Sequence, residues 1–135
     1  MSLIKIIDFD EMGDDRGSLI AFEQNKNIPF DIRRVYYIYG TQAGVARGFH
    51  AHKDLHQLAI CVSGSCRFLL DDGANKEEVL LDNPSSGLLI EGLIWREMYD
   101  FSDDCVLLVL ASEYYDEADY IRDYDEFKNA VSENT

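Results

Sequence analysis

Ten strand-length segments, separated at six points by clear turn signals, succeed one another between residues 4 and 111, and that spacing leaves few folds open to the chain. The segments are 4–9, 17–23, 34–39, 48–52, 57–63, 65–71, 76–81, 87–90, 95–99 and 105–111, rich in Ile, Val, Leu, Phe and Tyr. Between them stand Gly13-Asp14-Asp15, Asn27-Ile28-Pro29, Ser63-Gly64-Ser65, Asp71-Asp72-Gly73, Asn83-Pro84-Ser85-Ser86-Gly87 and Ser102-Asp103-Asp104, the residue types that tight turns select. Connections this short join antiparallel neighbours, so the expectation is an all-β antiparallel barrel or sandwich. After Ser112 the period changes. Tyr120, Tyr124, Phe127 and Val131 recur at helical intervals, which predicts a C-terminal α-helix over 119–131, packed on the outside. No linker or repeat divides the 135 residues, and they read as a single domain, 1–135.

Within this pattern the stretch GVARGFHAHK, Gly44 to Lys53, concentrates the chemistry. Side chains two apart in a strand point the same way, so His50 and His52 share a face while Phe49 and Ala51 take the other. Two of the three histidines in the chain thus meet at one site, where packing alone gives no reason for them. Arg47 adds a forked donor for phosphate or carboxylate beside groups that exchange protons near neutral pH. Arg16 likewise precedes a glycine that opens a strand, and both arginines are expected at a barrel mouth, gripping a diphosphate. Arg33 and Arg122 are read as surface partners of carboxylates. Among the aromatics, alternation puts Tyr37 and Tyr39 on one face and Tyr36 on the other, so at least one phenol should reach the interior, with Trp95 as a further aromatic candidate.

The acidic balance, 12 Lys and Arg against 26 Asp and Glu for a formal net charge of −14, repels nucleic acid and anionic membranes. An anionic ligand must then be held by local arginines. Cys61, Cys66 and Cys105 have no CxxC spacing and sit among apolar residues, which suits buried thiols in a reducing compartment. With no charged-then-apolar leader and no apolar run of spanning length, a cytoplasmic location is expected. His50-x-His52-x-x-x-His56 offers three nitrogen ligands, and Glu97 could complete a metal site, but no fourth ligand follows at a recognisable spacing.

GVARGFHAHKDLHQLAICVSG resembles the first motif of the cupin superfamily, with His56 where a metal-binding cupin usually has glutamate. The second cupin motif falls near residues 87–96 and shows Arg96 in place of its metal histidine. Both departures argue against a metal. Asp15-Arg16-Gly17 and the run from Gly44 to His50 are similar to motifs of dTDP-sugar 3,5-epimerases. Closer still, RGSLIAFEQNKNIPFDIRRVYYIY, RGFHAHK, SCRFLLDDG and DFSDDCVLLVLASEYYDEADYIRDYDEF resemble the sugar 3,4-ketoisomerases, WxcM-like cupins, over most of the chain.

The resemblance implies a cupin-type jelly roll and a cofactor-free enzyme. Its substrate would be dTDP-4-keto-6-deoxy-D-glucose, whose ketone moves to C-3 through an enediol, in nucleotide-linked amino-sugar synthesis for a lipopolysaccharide O-antigen or S-layer glycan. It also implies a homodimer formed around the N-terminal strands. His50 is then expected as the base at C-3 and His52 as its partner in shuttling the proton. Tyr37 and Arg96 are expected as donors near the oxygens, Arg16 and Arg47 on the diphosphate, and Tyr39 and Trp95 in contact with substrate. Arginine gives up a proton poorly, so the expectation is that the histidine side returns the proton as well, written as a gluco product; the motifs alone leave the C-4 configuration open. A metal-dependent cupin, an epimerase and a non-catalytic sugar-binding cupin stand as alternatives.

Overall fold

A computed structural model describes residues 2–134. It contains β1 (Lys5–Asp8), β2 (Met12–Asp14), β3 (Gly17–Leu19), β4 (Arg34–Ile38), β5 (Arg47–His52), β6 (Gln57–Ser63), β7 (Cys66–Asp71), β8 (Lys76–Leu81), β9 (Ser86–Ile90), β10 (Trp95–Tyr99), β11 (Val106–Ala111), a 3₁₀ turn at Glu117–Asp119, β12 (Tyr120–Ile121) and α1 (Tyr124–Glu133). Two five-stranded antiparallel sheets, ordered β1-β9-β6-β11-β4 and β12-β5-β10-β7-β8, face one another, and β2 and β3 form a separate hairpin. This is the antiparallel all-β class that the strand spacing predicts, in the jelly-roll form that the cupin resemblance implies, with a C-terminal helix.

The main core lies between the sheets, where Ala59, Cys61, Leu88, Leu107 and Val109 of the first sheet meet Cys66, Phe68, Leu70, Leu81 and Met98 of the second. Strand β6 is apolar on both faces because it is covered twice: Leu58 and Ile60 turn outward beneath Phe9, Ile28 and Phe30. That cover is the segment 20–32. The expected strand 17–23 stops at Leu19, since Ile20, Phe22, Ile28 and Ile32 are used to seal the outer face. The Asn27 side chain pins the fold-back, accepting from Glu23 N at 2.7 Å and donating to Ala21 O at 2.7 Å.

Helix α1 packs on the outer face of the second sheet, where Phe127, with Tyr124, Ala130 and Val131, meets Ala51, Trp95 and Ile121. It begins five residues later than the periodicity suggests. Residues 120–121 pair instead with β5, in the register Tyr120↔His52 and Ile121↔Ala51, so Tyr120 is a strand residue and not part of the helical stripe. The three thiols are buried in the main core, with Cys61 Sγ 3.5 Å from Cys66 and 3.8 Å from Cys105. Among the described residues no helix is long and apolar enough to cross a membrane.

Candidate active site

At one end of the sandwich the sheets part around a cavity of about 360 Å³ lined by Arg34, Tyr36 and Ile38 of β4, Arg47, Gly48 and His50 of β5, Met98 of β10, and Tyr120 and Arg122. Strands β4 and β5 belong to opposite sheets, so they supply opposing walls. The three arginines are notable in a chain with only 12 Lys and Arg, because they place a quarter of its positive charge at one cavity. A fourth, Arg96, lies buried just behind.

Strict alternation would send Arg47 and His50, three residues apart, to opposite faces. They share the cavity because β5 carries a bulge. Opposite β10, Arg96 pairs with His50, Glu97 with Gly48 and Met98 with Arg47, leaving Phe49 without a partner. Phe49 has φ 59° and Gly48 φ 93°, so the chain spends one extra residue and Arg47 returns to the inner face. A Cβ on Gly48 would lie 3.0 Å from Arg96 O, so glycine serves both the backbone angle and the close approach.

His50 and His52 do share a face, their rings 4.9 Å apart and edge-to-face. His50 lines the cavity, and His52 is wholly buried beside it. Tyr120 closes over both, 5.1 Å from the His50 ring and 4.3 Å from His52, and Arg122 stacks on Tyr120 at 4.3 Å while bridging Glu117. Arg122, read from sequence as a surface ion pair, thus keeps that pair and also lines the site. Asp119 Oδ2 lies 2.9 Å from His52 Nδ1, and Oδ1 accepts from Lys53 N and Asp54 N. A carboxylate can only accept, so Nδ1 carries the proton and Nε2, buried without a partner, keeps its lone pair. Burial, and next the Arg96 guanidinium, push the His50 pKa down to about 4. The same two causes lower that of His52, with the touching Asp119 carboxylate opposing them. Both rings are therefore neutral at pH 7, the state in which imidazole accepts a proton.

Among the described residues Arg96 has no carboxylate partner. It donates through Nη1 to Gln57 Oε1 at 2.5 Å and through Nη2 to Ile94 O at 2.9 Å, and its Nε is unpartnered. Burial lowers its pKa to about 10, which leaves it a cation and a fixed positive charge behind the histidines. Such a charge favours an anion forming in the cavity.

Several expected site residues lie elsewhere. Tyr37 points away from the cavity, 62 % exposed, because β4 turns Tyr36 inward. Tyr39 stacks beside Tyr37 at 5.8 Å and lines a shallow outer groove with Gly40, Thr41, Gln42, Val45 and Arg47, so Arg47 is common to groove and cavity. Trp95 is 4 % exposed on the outer face of β10, packed against Tyr124 and Phe127, its indole N–H donating to Glu97. Alternation along β10 turns Arg96 inward and Trp95 with Glu97 under the helix. Arg16 sits in the β2–β3 hairpin turn, almost fully exposed and paired with Asp14 at 2.6 Å, and does not line its own chain's cavity. His56 stands apart from the other two histidines, stacked on Phe30 outside the first sheet with Nδ1 3.1 Å from Glu91, so the three do not converge. Sequence reasoning missed Tyr36 as the inward phenol, and also Arg34, Gln57, Asp119 and Tyr120. Strand parity in β4 could have found the first, whereas the others depend on pairings between distant segments.

The family model described as FdtA: WxcM-like, C-terminal matches residues 2–132. The chain belongs to that family. Proteins similar to it include a TDP-4-oxo-6-deoxy-alpha-D-glucose-3,4-oxoisomerase of Aneurinibacillus thermoaerophilus, 56 % identical over 128 residues, covering 95 % of this chain and 92 % of that one. Among solved structures, the TDP-quinovose 3,4-ketoisomerase WlaRB of Campylobacter jejuni is 51 % identical, covers 96 % of this chain and 99 % of its own, and superposes with a TM-score of 0.91. The 3,4-ketoisomerase QdtA of Thermoanaerobacterium thermosaccharolyticum, as a histidine-to-asparagine variant in complex with TDP-4-keto-6-deoxyglucose, is 45 % identical, with 98 % and 96 % coverage and a TM-score of 0.95.

Proposed function

We propose that this FdtA/WxcM-like chain is a sugar-nucleotide 3,4-ketoisomerase that takes dTDP-4-keto-6-deoxy-D-glucose to the 3-keto isomer. The observation that carries the reading is the pair of neutral histidines set beside a cluster of arginines in one cavity. The hydrogen on C-3 is acidified by the neighbouring C-4 ketone, so a neutral imidazole suffices to remove it if the enediolate is held. His50, which lines the cavity, is the base. His52, held in one tautomer by Asp119, relays the proton, and Arg96 supports the negative charge from behind. Arg47 holds the diphosphate where cavity and groove meet, which places the nucleotide along the groove beside Tyr39. The chain works as one domain in a homodimer built on the N-terminal strands, and Arg16, exposed on its hairpin, reaches a diphosphate only in a neighbouring protomer. The pathway is cytoplasmic amino-sugar synthesis for a surface glycan. Incubating the protein with dTDP-4-keto-6-deoxyglucose in the presence of a chelator and following the ring signals by NMR tests this. A 3-keto product is expected, binding without turnover would make the chain a sugar-binding cupin, and turnover lost to the chelator would make it a metal enzyme.

A further inference from the structure

All three cysteines of the chain meet at one point in the core. Cys61 comes from β6 of the first sheet, Cys66 opens β7 of the second, and Cys105 stands directly before β11. The residues are buried, and Cys61 Sγ lies 3.5 Å from that of Cys66 and 3.8 Å from that of Cys105, with all three sulfurs within 4.8 Å of one another. A core needs only volume at such positions, which aliphatic side chains supply as well; three thiols add three soft ligand atoms. Two turns meet beside them. Ser102 N donates to Ser65 O and Ser65 N to Ser102 Oγ, both at 2.9 Å, so the β6–β7 connection and the loop leading to Cys105 are latched to each other.

Thiolates about 2.3 Å from one shared ion stand about 3.5–4.0 Å apart across bond angles of about 100–120°. The two pairs that Cys61 makes already have that spacing, whereas a disulfide needs its sulfurs at about 2.05 Å. Burial also pushes the Cys105 thiol up to about 12, and the hydrogen bond with Cys66 together with burial raises Cys61, so little thiolate is present at neutral pH to attack an oxidant. Soft ions are the partners that sulfur selects, and charge chooses among them. The thiols share their cluster with Phe68, Leu81, Phe101 and Leu107, and the Asp104 carboxylate acts on Cys105 with further negative charge. Three thiolates would leave two negative charges on a monovalent ion, one on a divalent ion and none on a trivalent one, and a buried net charge is costly. We propose that Cys61, Cys66 and Cys105 form a three-sulfur site for a soft trivalent metalloid, the class of arsenic(III), whose occupant ties the two sheets together.

The step is an exchange with no oxidation or reduction. Three S–H bonds and the three As–O bonds of arsenous acid break, three As–S bonds form, three waters leave, and arsenic stays trivalent throughout. The product is neutral, as its surroundings require. The site is separate from the cavity, because β11 runs between them: Leu107 pairs with Cys61 of β6 on one side and with Ile38 of β4, a cavity residue, on the other.

The experiment adds arsenite to the native chain and, in parallel, to the chain as it refolds from denaturant, so that slow entry past the latched turns cannot hide binding. Native mass spectrometry counts the arsenic, X-ray absorption at the arsenic edge identifies its neighbours, and thermal melting reads the tie between the sheets. The wild type should hold one arsenic per chain with three sulfur neighbours and no oxygen, keep its circular dichroism, and melt about 5 °C or more higher than without arsenite. Zinc alone should give no such gain. Cys105→Ala and Cys66→Ala, which remove a sulfur from either sheet's side of the cluster, should each lose it. A refolded wild type that retains no arsenic, arsenic bound through two sulfurs and an oxygen, a melting temperature lowered by arsenite, or an equal gain in either variant would each overturn the site. An equal gain with zinc would overturn its assignment to a trivalent ion.

Discussion

Replacing Gly48 by alanine should damage substrate binding and stability together, because this one residue makes the bulge that turns Arg47 into the cavity. At φ 93° an L-residue is strained, which costs about 1–2 kcal/mol. The new Cβ also meets Arg96 O at 3.0 Å and Met98 Cε at 3.2 Å; the methionine end can move, but the carbonyl is held in the ladder between β10 and β5. A total of about 2 kcal/mol corresponds to a fall of about 6–10 °C in melting temperature for a domain of this size. Relieving the strain by undoing the bulge restores alternation and turns Arg47 outward, so KM for the nucleotide sugar should rise about tenfold or more while kcat at saturation falls less. Gly44→Ala is the control, since nothing lies within 4 Å of its added Cβ, and it should stay within about 0.5 kcal/mol of the wild type. Calorimetry and steady-state kinetics on the two variants settle the matter. If Gly48→Ala melts with the control and binds as the wild type does, the bulge does not place Arg47.

The lowered His50 pKa gives a pH prediction whose sign is fixed: the folded chain binds fewer protons than the unfolded one between pH 6.5 and about 4, so stability falls as pH falls through that window. Denaturant titrations should show a shallower acid slope in His50→Asn than in the wild type, and kcat/KM should keep its base form down to about pH 4; an acid limb at 6.5 would contradict the burial argument. Asp119→Asn removes the carboxylate that fixes the His52 tautomer and should lower kcat by about two orders of magnitude with KM little changed, so an unaltered kcat would sink the relay. Phe127→Ala, at the wholly buried position on the inner face of the helix, should cost about 3–5 kcal/mol in chemical denaturation, and a loss below about 1 kcal/mol would show that the helix is not a structural cover.

The all-β class and ten of the twelve strands were legible because hydrophobic alternation and turn chemistry are local properties, whereas β2 and β12 lay where a turn and a helix were expected. The sharing of a face by His50 and His52 was legible for the same reason, since two-residue parity survives wherever the strand is regular. The shared cavity of Arg47 and His50 was expected from proximity, yet it holds only because Gly48 and Phe49 break that parity. Parity also misled where a face had to be chosen: Tyr37 and Trp95 were assigned to the site, but whether an odd or even position faces inward is set by which sheet covers the strand. Tyr36 and Arg96 therefore point in, and Trp95 lies under a helix that follows it by nearly thirty residues.

By itself, then, the sequence determined a set of short antiparallel strands and a histidine pair on one of them, features carried by neighbours in the chain, whereas the cluster of Arg34, Arg47 and Arg122 forms only when distant segments meet. Only the tertiary structure decided that Asp119 fixes the tautomer of His52 and that Gln57 links Arg96 to Tyr36, accepting from the first and donating to the second. It alone decided that the cavity is lined by His50 from one sheet and Tyr36 from the other. Those contacts join residues 67, 39 and 21 positions apart, and their directionality comes from donors and acceptors that meet only when the two sheets close.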